Sequence, residues 1–120
     1  MRKPLSPEKH AVVDYGFLAA NLAVPTLLGA ATGTRALFAA FGAVQGTLNA
    51  FTDQPLAVRR LVPFKVHGQV EKASLPVFAL VPLLVGVHRD RRGRWFWAAS
   101  AAALLAAYNL TDWDAKDTDS

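Results

Sequence analysis

The chain has no cysteine, one methionine, two tyrosines and only 18% charged residues. Without cysteine there is no disulfide framework, no thiolate metal site and no cysteine nucleophile, and the redox compartment is not encoded. Also missing are a Ser/His/Asp order, a phosphate-binding glycine loop and a zinc-protease signature, so an enzyme is not the expectation. Charge is scarce where it would matter for a polar helix face. It gathers at the two ends and in the connections, and the net +4 comes largely from arginines flanking apolar runs. Such placement favours anionic headgroups over nucleic acid, and no nucleic-acid partner is expected.

What is present is apolar sequence, 52% of 120 residues, enough for a single module and no second domain. Four runs stand out: Val12 to Ala31, Ala36 to Phe51, Ala73 to Val87 and Trp95 to Leu110. The segment from Phe96 to Tyr108 is apolar around its whole circumference, a pattern that predicts burial on every side. The reading is therefore an all-α four-helix transmembrane bundle with the lipid bilayer as partner. Each run is marginal against the roughly 20 residues that a bilayer core requires.

The chain repeats itself. A displacement of 57 positions carries His10 onto His67, Asp14 onto Glu71, Pro25 onto Pro82 and Gly29 onto Gly86. After the connecting loop the displacement becomes 59, and Phe51-Thr52-Asp53 falls on Leu110-Thr111-Asp112. The chain thus divides into two tandem parallel helical-hairpin repeats, about 5–53 and 61–112, with an acidic tail at 113–120. Each hairpin returns to the side it left, so the termini and the central connection share one face. The distribution of Lys and Arg leans towards cytoplasmic termini in a bacterial inner membrane.

A two-helix repeat with a His-x-x-x-Asp/Glu entry, a proline near the end of the first helix and Thr-Asp closing the second resembles the bacterial SPW-repeat membrane proteins. The resemblance covers His10 to Asp53 and His67 to Asp112. Where that family carries Ser-Pro-Trp, this chain has Val24-Pro25-Thr26 and Val81-Pro82-Leu83. The resemblance implies an inner-membrane location and supplies no catalytic activity.

The candidate chemistry lies in the paired entries. His10 and Asp14, like His67 and Glu71, are four apart and share a helix face. Gln45, Asn49 and Asp53 form a stripe on the second helix, and Tyr108 with Asp112 takes the equivalent place on the fourth. All of these groups belong to one end of the bundle, where they are expected to converge. The first reading of that cluster is a structural network of interhelical hydrogen bonds in an accessory protein, self-associating or part of a larger membrane complex. The second is a metal site of His10, His67, Asp14 and Glu71, or a b-type haem held by the two histidines. The third is a proton or cation pathway. Gly42 and Gly46 form a G-x-x-x-G, expected to let another helix approach within the bundle. The basic turn His88 to Arg94, followed by Trp95 and Trp97, reads as a headgroup anchor.

Overall fold

A computed structural model describes residues 3–115. Four helices make up the described chain: α1 (Pro7–Leu27), α2 (Thr32–Ala50), α3 (Phe64–Leu84) and α4 (Arg91–Leu110). Of the proposed acidic tail, residues 116–120 lie outside the described part, as do Met1 and Arg2.

Local chemistry sets the helix ends. Ser6 caps α1 by accepting a hydrogen bond from the Lys9 amide at 3.3 Å, and Pro7 sits in the first turn, where a missing N–H costs nothing. The prolines that mark the repeat, Pro25 and Pro82, lie inside the last turns of α1 and α3. Gly29 and Gly86 follow at φ +71° and +86°, left-handed positions that glycine occupies without a Cβ clash. Asp90 caps α4 by accepting from the amides of Arg92 and Gly93. Its other carboxylate oxygen accepts from the Ala31 amide at 2.8 Å, which ties the α3–α4 connection to the start of α2.

Within the first hairpin, α1 and α2 pack most closely. A Cβ on Gly42 would stand 2.8 Å from the Asn21 Cβ and 3.2 Å from the Leu18 carbonyl, so the absence of a side chain there is what admits α1. Gly46 faces the tip of the same Leu18. At the α1–α2 and α3–α4 turn end the core is aromatic: Phe38, Phe78 and Phe96 pack with ring centroids 5.0 to 5.9 Å apart, closed by Val87 and Leu104.

The membrane reading is corrected here. No helix among the described residues is long and apolar enough to cross a membrane. The physical reason is that the charged entries are part of the helices themselves. Asp14 lies within α1, Lys65, Glu71 and Lys72 within α3, and Arg91, Arg92 and Arg94 open α4. The uncharged stretches that remain, such as Tyr15 to Leu27 and Ala73 to Leu84, fall short of the roughly 20 residues a span needs. Four spanning helices, an inner-membrane location and cytoplasmic termini are therefore withdrawn; an all-α four-helix arrangement stands.

At the opposite end the two hairpins exchange short extended segments. Leu5 pairs with Thr111 and Thr52 with Val62, each as a parallel bridge. The bonds correspond one to one: Leu5 N to Leu110 O (3.0 Å) with Val62 N to Phe51 O (2.9 Å), and Asp112 N to Leu5 O (3.0 Å) with Asp53 N to Val62 O (2.7 Å). The segment that follows α2 is thus fastened beside the start of α3, and the segment that follows α4 beside the start of α1. This exchange positions the site.

Candidate metal centre

His10 and His67 each lie one turn inside a helix, with no exposed surface. Each is met by a threonine carried in on a bridge. His10 Nδ1 is 2.7 Å from Thr111 Oγ1, and His67 Nδ1 is 2.7 Å from Thr52 Oγ1. Both hydroxyls already spend their single proton on a backbone carbonyl one turn back, Thr111 on Ala107 O at 2.6 Å and Thr52 on Leu48 O at 2.5 Å. A hydroxyl committed in this way can only accept from the ring. The proton of each neutral imidazole is therefore held on Nδ1, and the Nε2 lone pair is turned into the bundle.

The two Nε2 atoms meet carboxylates there. His67 Nε2 is 3.0 Å and His10 Nε2 is 3.1 Å from the same oxygen, Asp14 Oδ2, and His10 Nε2 is 3.5 Å from Glu71 Oε2. Both Nε2 atoms, Asp14 Oδ2 and both Glu71 oxygens are buried without an aligned hydrogen-bond partner. One ligand atom from each of the four residues falls within 4.8 Å of all the others.

Burial by itself would push the Asp14 carboxyl up, but its contacts with His10 and His67 and their positive charge outweigh burial and hold it low. For His10, burial lowers the pKa, and contact with Asp14 together with the charges of Asp14 and Glu71 more than reverses this, leaving it raised. Glu71 is pushed up to about 8 by burial and by the Asp14 charge, against a smaller opposing effect of His10. Without another cation, the chamber keeps its charges balanced by retaining protons.

An aromatic cap closes the terminal side. The Trp113 ring lies 4.6 Å from His10 and 5.8 Å from His67, with Phe64 beside it at 4.9 Å. Trp113 Nε1 donates to the Tyr108 carbonyl at 3.1 Å. Gly68 leaves the space the indole fills, since a Cβ there would stand 2.6 Å from the ring.

Of the residues expected to converge, His10, Asp14, His67 and Glu71 do so and the others are placed elsewhere. Asn49 is buried and donates to the Ala11 carbonyl at 3.0 Å, holding α2 to α1 beside the site. Gln45 is buried on the α2–α3 side. Asp53 pairs with Arg60 at the surface (3.3 Å), and the Asp112 carboxylate accepts from the Asp114 amide at 3.2 Å. Tyr108 packs its ring against Trp113. The expectation that Asp53 and Asp112 face the histidines is corrected by the bridges: in extended chain adjacent side chains point to opposite sides, so Thr52 and Thr111 enter and the aspartates leave.

Comparison of the chain with family models, with curated proteins and with solved structures finds no match in any of the three.

Proposed function

We propose that the chain is a metal-binding module whose four helices close around one divalent transition-metal ion, held by His10 Nε2, His67 Nε2, Asp14 and Glu71. The observation that carries this reading is the orientation of the imidazoles. Threonine hydroxyls with no proton to spare fix both rings with Nε2 facing buried carboxylate oxygens. In the neutral rings lone pair faces lone pair, a repulsion that a proton on a ring or on Glu71, or a metal ion, relieves. A proton on each ring does so in part; an ion satisfies all four groups at once.

Spacing supports the choice of an ion. Donor atoms about 2.0–2.2 Å from a tetrahedral ion lie about 3.3–3.6 Å from one another. The three short contacts measure 3.0, 3.1 and 3.5 Å, while the full set spans up to 4.8 Å, so the side chains must close by up to about 1 Å at the widest pair to complete the shell. Two imidazoles and two carboxylates suit iron, manganese or zinc. The threonines are the outer partners that fix tautomer and ring direction, a role on which affinity depends strongly.

A haem fits this arrangement poorly. The two rings are 5.3 Å apart, nearly perpendicular, and aimed at one carboxylate oxygen, which leaves no slot for a macrocycle between them. The phenyl rings of Phe38, Phe78 and Phe96 pack across the bundle beyond the cluster, an arrangement that favours holding an ion over passing one.

The test is elemental analysis and calorimetric titration with Zn²⁺, Mn²⁺ and anaerobic Fe²⁺ on protein purified without a metal-affinity resin. One equivalent bound by the wild type and none by His10→Ala/His67→Ala supports the proposal. A wild type that binds no ion tightly overturns it and leaves the cluster as an interhelical pin.

A further inference from the structure

The two hairpins meet along two seams, α1 against α4 and α2 against α3, and each seam holds a cavity open to the surface, of about 320 Å³ and 390 Å³ respectively. The displacements of 57 and 59 that relate the repeats carry one cavity onto the other almost residue for residue. Differences between them are therefore not demands of the helix packing. Ala20 and Ala103 in the α1–α4 seam stand where Val77 and Val44 stand in its twin. The carboxylates differ too. Asp14 lines the α1–α4 cavity, whereas Glu71, its counterpart, is not among the residues lining the α2–α3 cavity.

Of the four buried ligands, Asp14 lines the α1–α4 cavity. Thr52 and Thr111 stand behind the histidines, and Trp113 and Phe64 cover the terminal side. Asp14 is thus both a wall of the ion site and a wall of the seam cavity. Iron and manganese accept five or six ligands, so four protein donors leave a coordination position, and the cavity borders the site at Asp14. Its walls are almost wholly apolar, which admits neutral molecules and rejects hydrated ions.

We infer that the α1–α4 cavity is the antechamber through which a small neutral molecule, of the class of dioxygen or nitric oxide, reaches and ligates the bound ion. This rests on the metal-binding reading above, and it concerns binding alone, with no electron transfer. The twin seam, whose lining includes none of the four ligands, has no such role.

Nitric oxide is the probe. Metal-free full-length protein is loaded anaerobically with one equivalent of Fe²⁺, the bound iron is counted, and nitric oxide is added while the half-integer-spin iron–nitrosyl EPR signal is followed. The expected result is a full signal in the wild type, its slowing or loss in Ala103→Phe, and no change in Val44→Phe, the same substitution in the twin seam. Ala20→Val/Ala103→Val, which installs the side chains the twin already accommodates, guards against misfolding of the bulkier variant and should slow the signal in the same direction. Stoichiometric iron with no nitrosyl signal overturns the inference and leaves the metal site standing. A signal as fast in both α1–α4 variants as in the wild type overturns it as well, by showing another route. Failure to bind Fe²⁺ overturns the inference, and the metal-binding reading falls with it only where Zn²⁺ and Mn²⁺ are refused as well.

Discussion

His10 and Thr111 are hydrogen-bonded side chain to side chain at 2.7 Å across 101 positions of sequence, and His67 and Thr52 make the same bond in the other direction between the hairpins. Each repeat supplies the threonine that orients the other's histidine. Replacing both hydroxyls, Thr52→Val/Thr111→Val, keeps the volume and removes the acceptor for each Nδ1–H. The expected outcome in a metal titration is a loss of affinity of about 10–100-fold, as for other outer partners of ligating histidines. The metal-free protein should also lose about 1–3 kcal/mol per orphaned N–H in urea unfolding. Thr→Ser at both positions restores the acceptor and should recover most of the affinity. If the valine variant binds as tightly as wild type, the threonines do not set the tautomer.

The glycines separate into those that make room and those that do not. Gly42→Ala would drive a methyl against the Asn21 Cβ and the Leu18 carbonyl, atoms of a neighbouring helix with little freedom to move. About 1–3 kcal/mol of destabilisation is expected, the usual cost of overpacking. For Gly46→Ala the nearest atoms belong to the rotatable tip of Leu18, and the cost should be less. Gly16 is helical, and a methyl added there would meet nothing within 4 Å, so Gly16→Ala should stabilise by about 0.5–1 kcal/mol through helix propensity alone. Urea midpoints of the three variants give the order directly; a stabilising Gly42→Ala would contradict the α1–α2 packing.

How much of the site is legible in the sequence follows from the same residues. The His-x-x-x-Asp/Glu spacing and the internal displacement place His10, Asp14, His67 and Glu71 at one level, because helical period and repetition are both properties of sequence. The threonines escape such a reading although they recur as an identical residue in the two copies. Beside a threonine, an aspartate looks the stronger partner for histidine, and only the extended bridge decides which of two neighbours points inward. The cap by Trp113 has no counterpart in the first repeat, where Gln54 stands, so repetition gives no sign of it. The membrane reading arises from apolar side chains such as Leu22, Leu80 and Leu105, which the structure leaves on outward faces. Apolar circumference is evidence of burial somewhere, but span length is a separate requirement that these helices do not meet.

Asp90 joins two connections at the end of the bundle away from the site, capping α4 and accepting from the Ala31 amide. Its carboxyl is held below the usual range, first by the Ala31 amide and then by the amides of its own helix. Asp90→Ala should cost about 1–2 kcal/mol, the high end for a helix cap because the bond to α2 is lost with it. Because the folded-state pKa is depressed, the stabilisation is present above the unfolded value and fades as pH falls through the folded one. The difference between wild type and Asp90→Ala should therefore shrink on acidification. A constant difference from neutral to strongly acid pH would show that the carboxylate charge plays no part.

Protons and the metal compete for the same four residues, and the competition has a sign. Glu71 titrates near 8 in the metal-free fold against about 4.5 when unfolded, and His10 is likewise raised. Between those values the folded chain holds more protons than the unfolded one, so metal-free stability should fall as pH rises from about 5 towards 8, where Glu71 is forced to ionise in a buried chamber. Glu71→Gln removes that ionisation and should flatten most of the slope. Asp14 acts oppositely but only at acid pH, since its depressed pKa makes its contribution disappear as pH falls through the folded value. Metal binding must displace the retained protons, so affinity should rise over the same interval in which metal-free stability falls, with proton release measurable in weakly buffered calorimetry. Urea midpoints in chelator at about pH 5, 6, 7 and 8, set beside metal titrations at each pH, test both halves. A metal-free midpoint that climbs with pH through this range would mean that Glu71 is already ionised in the fold, and the charge balance drawn for the chamber would be wrong.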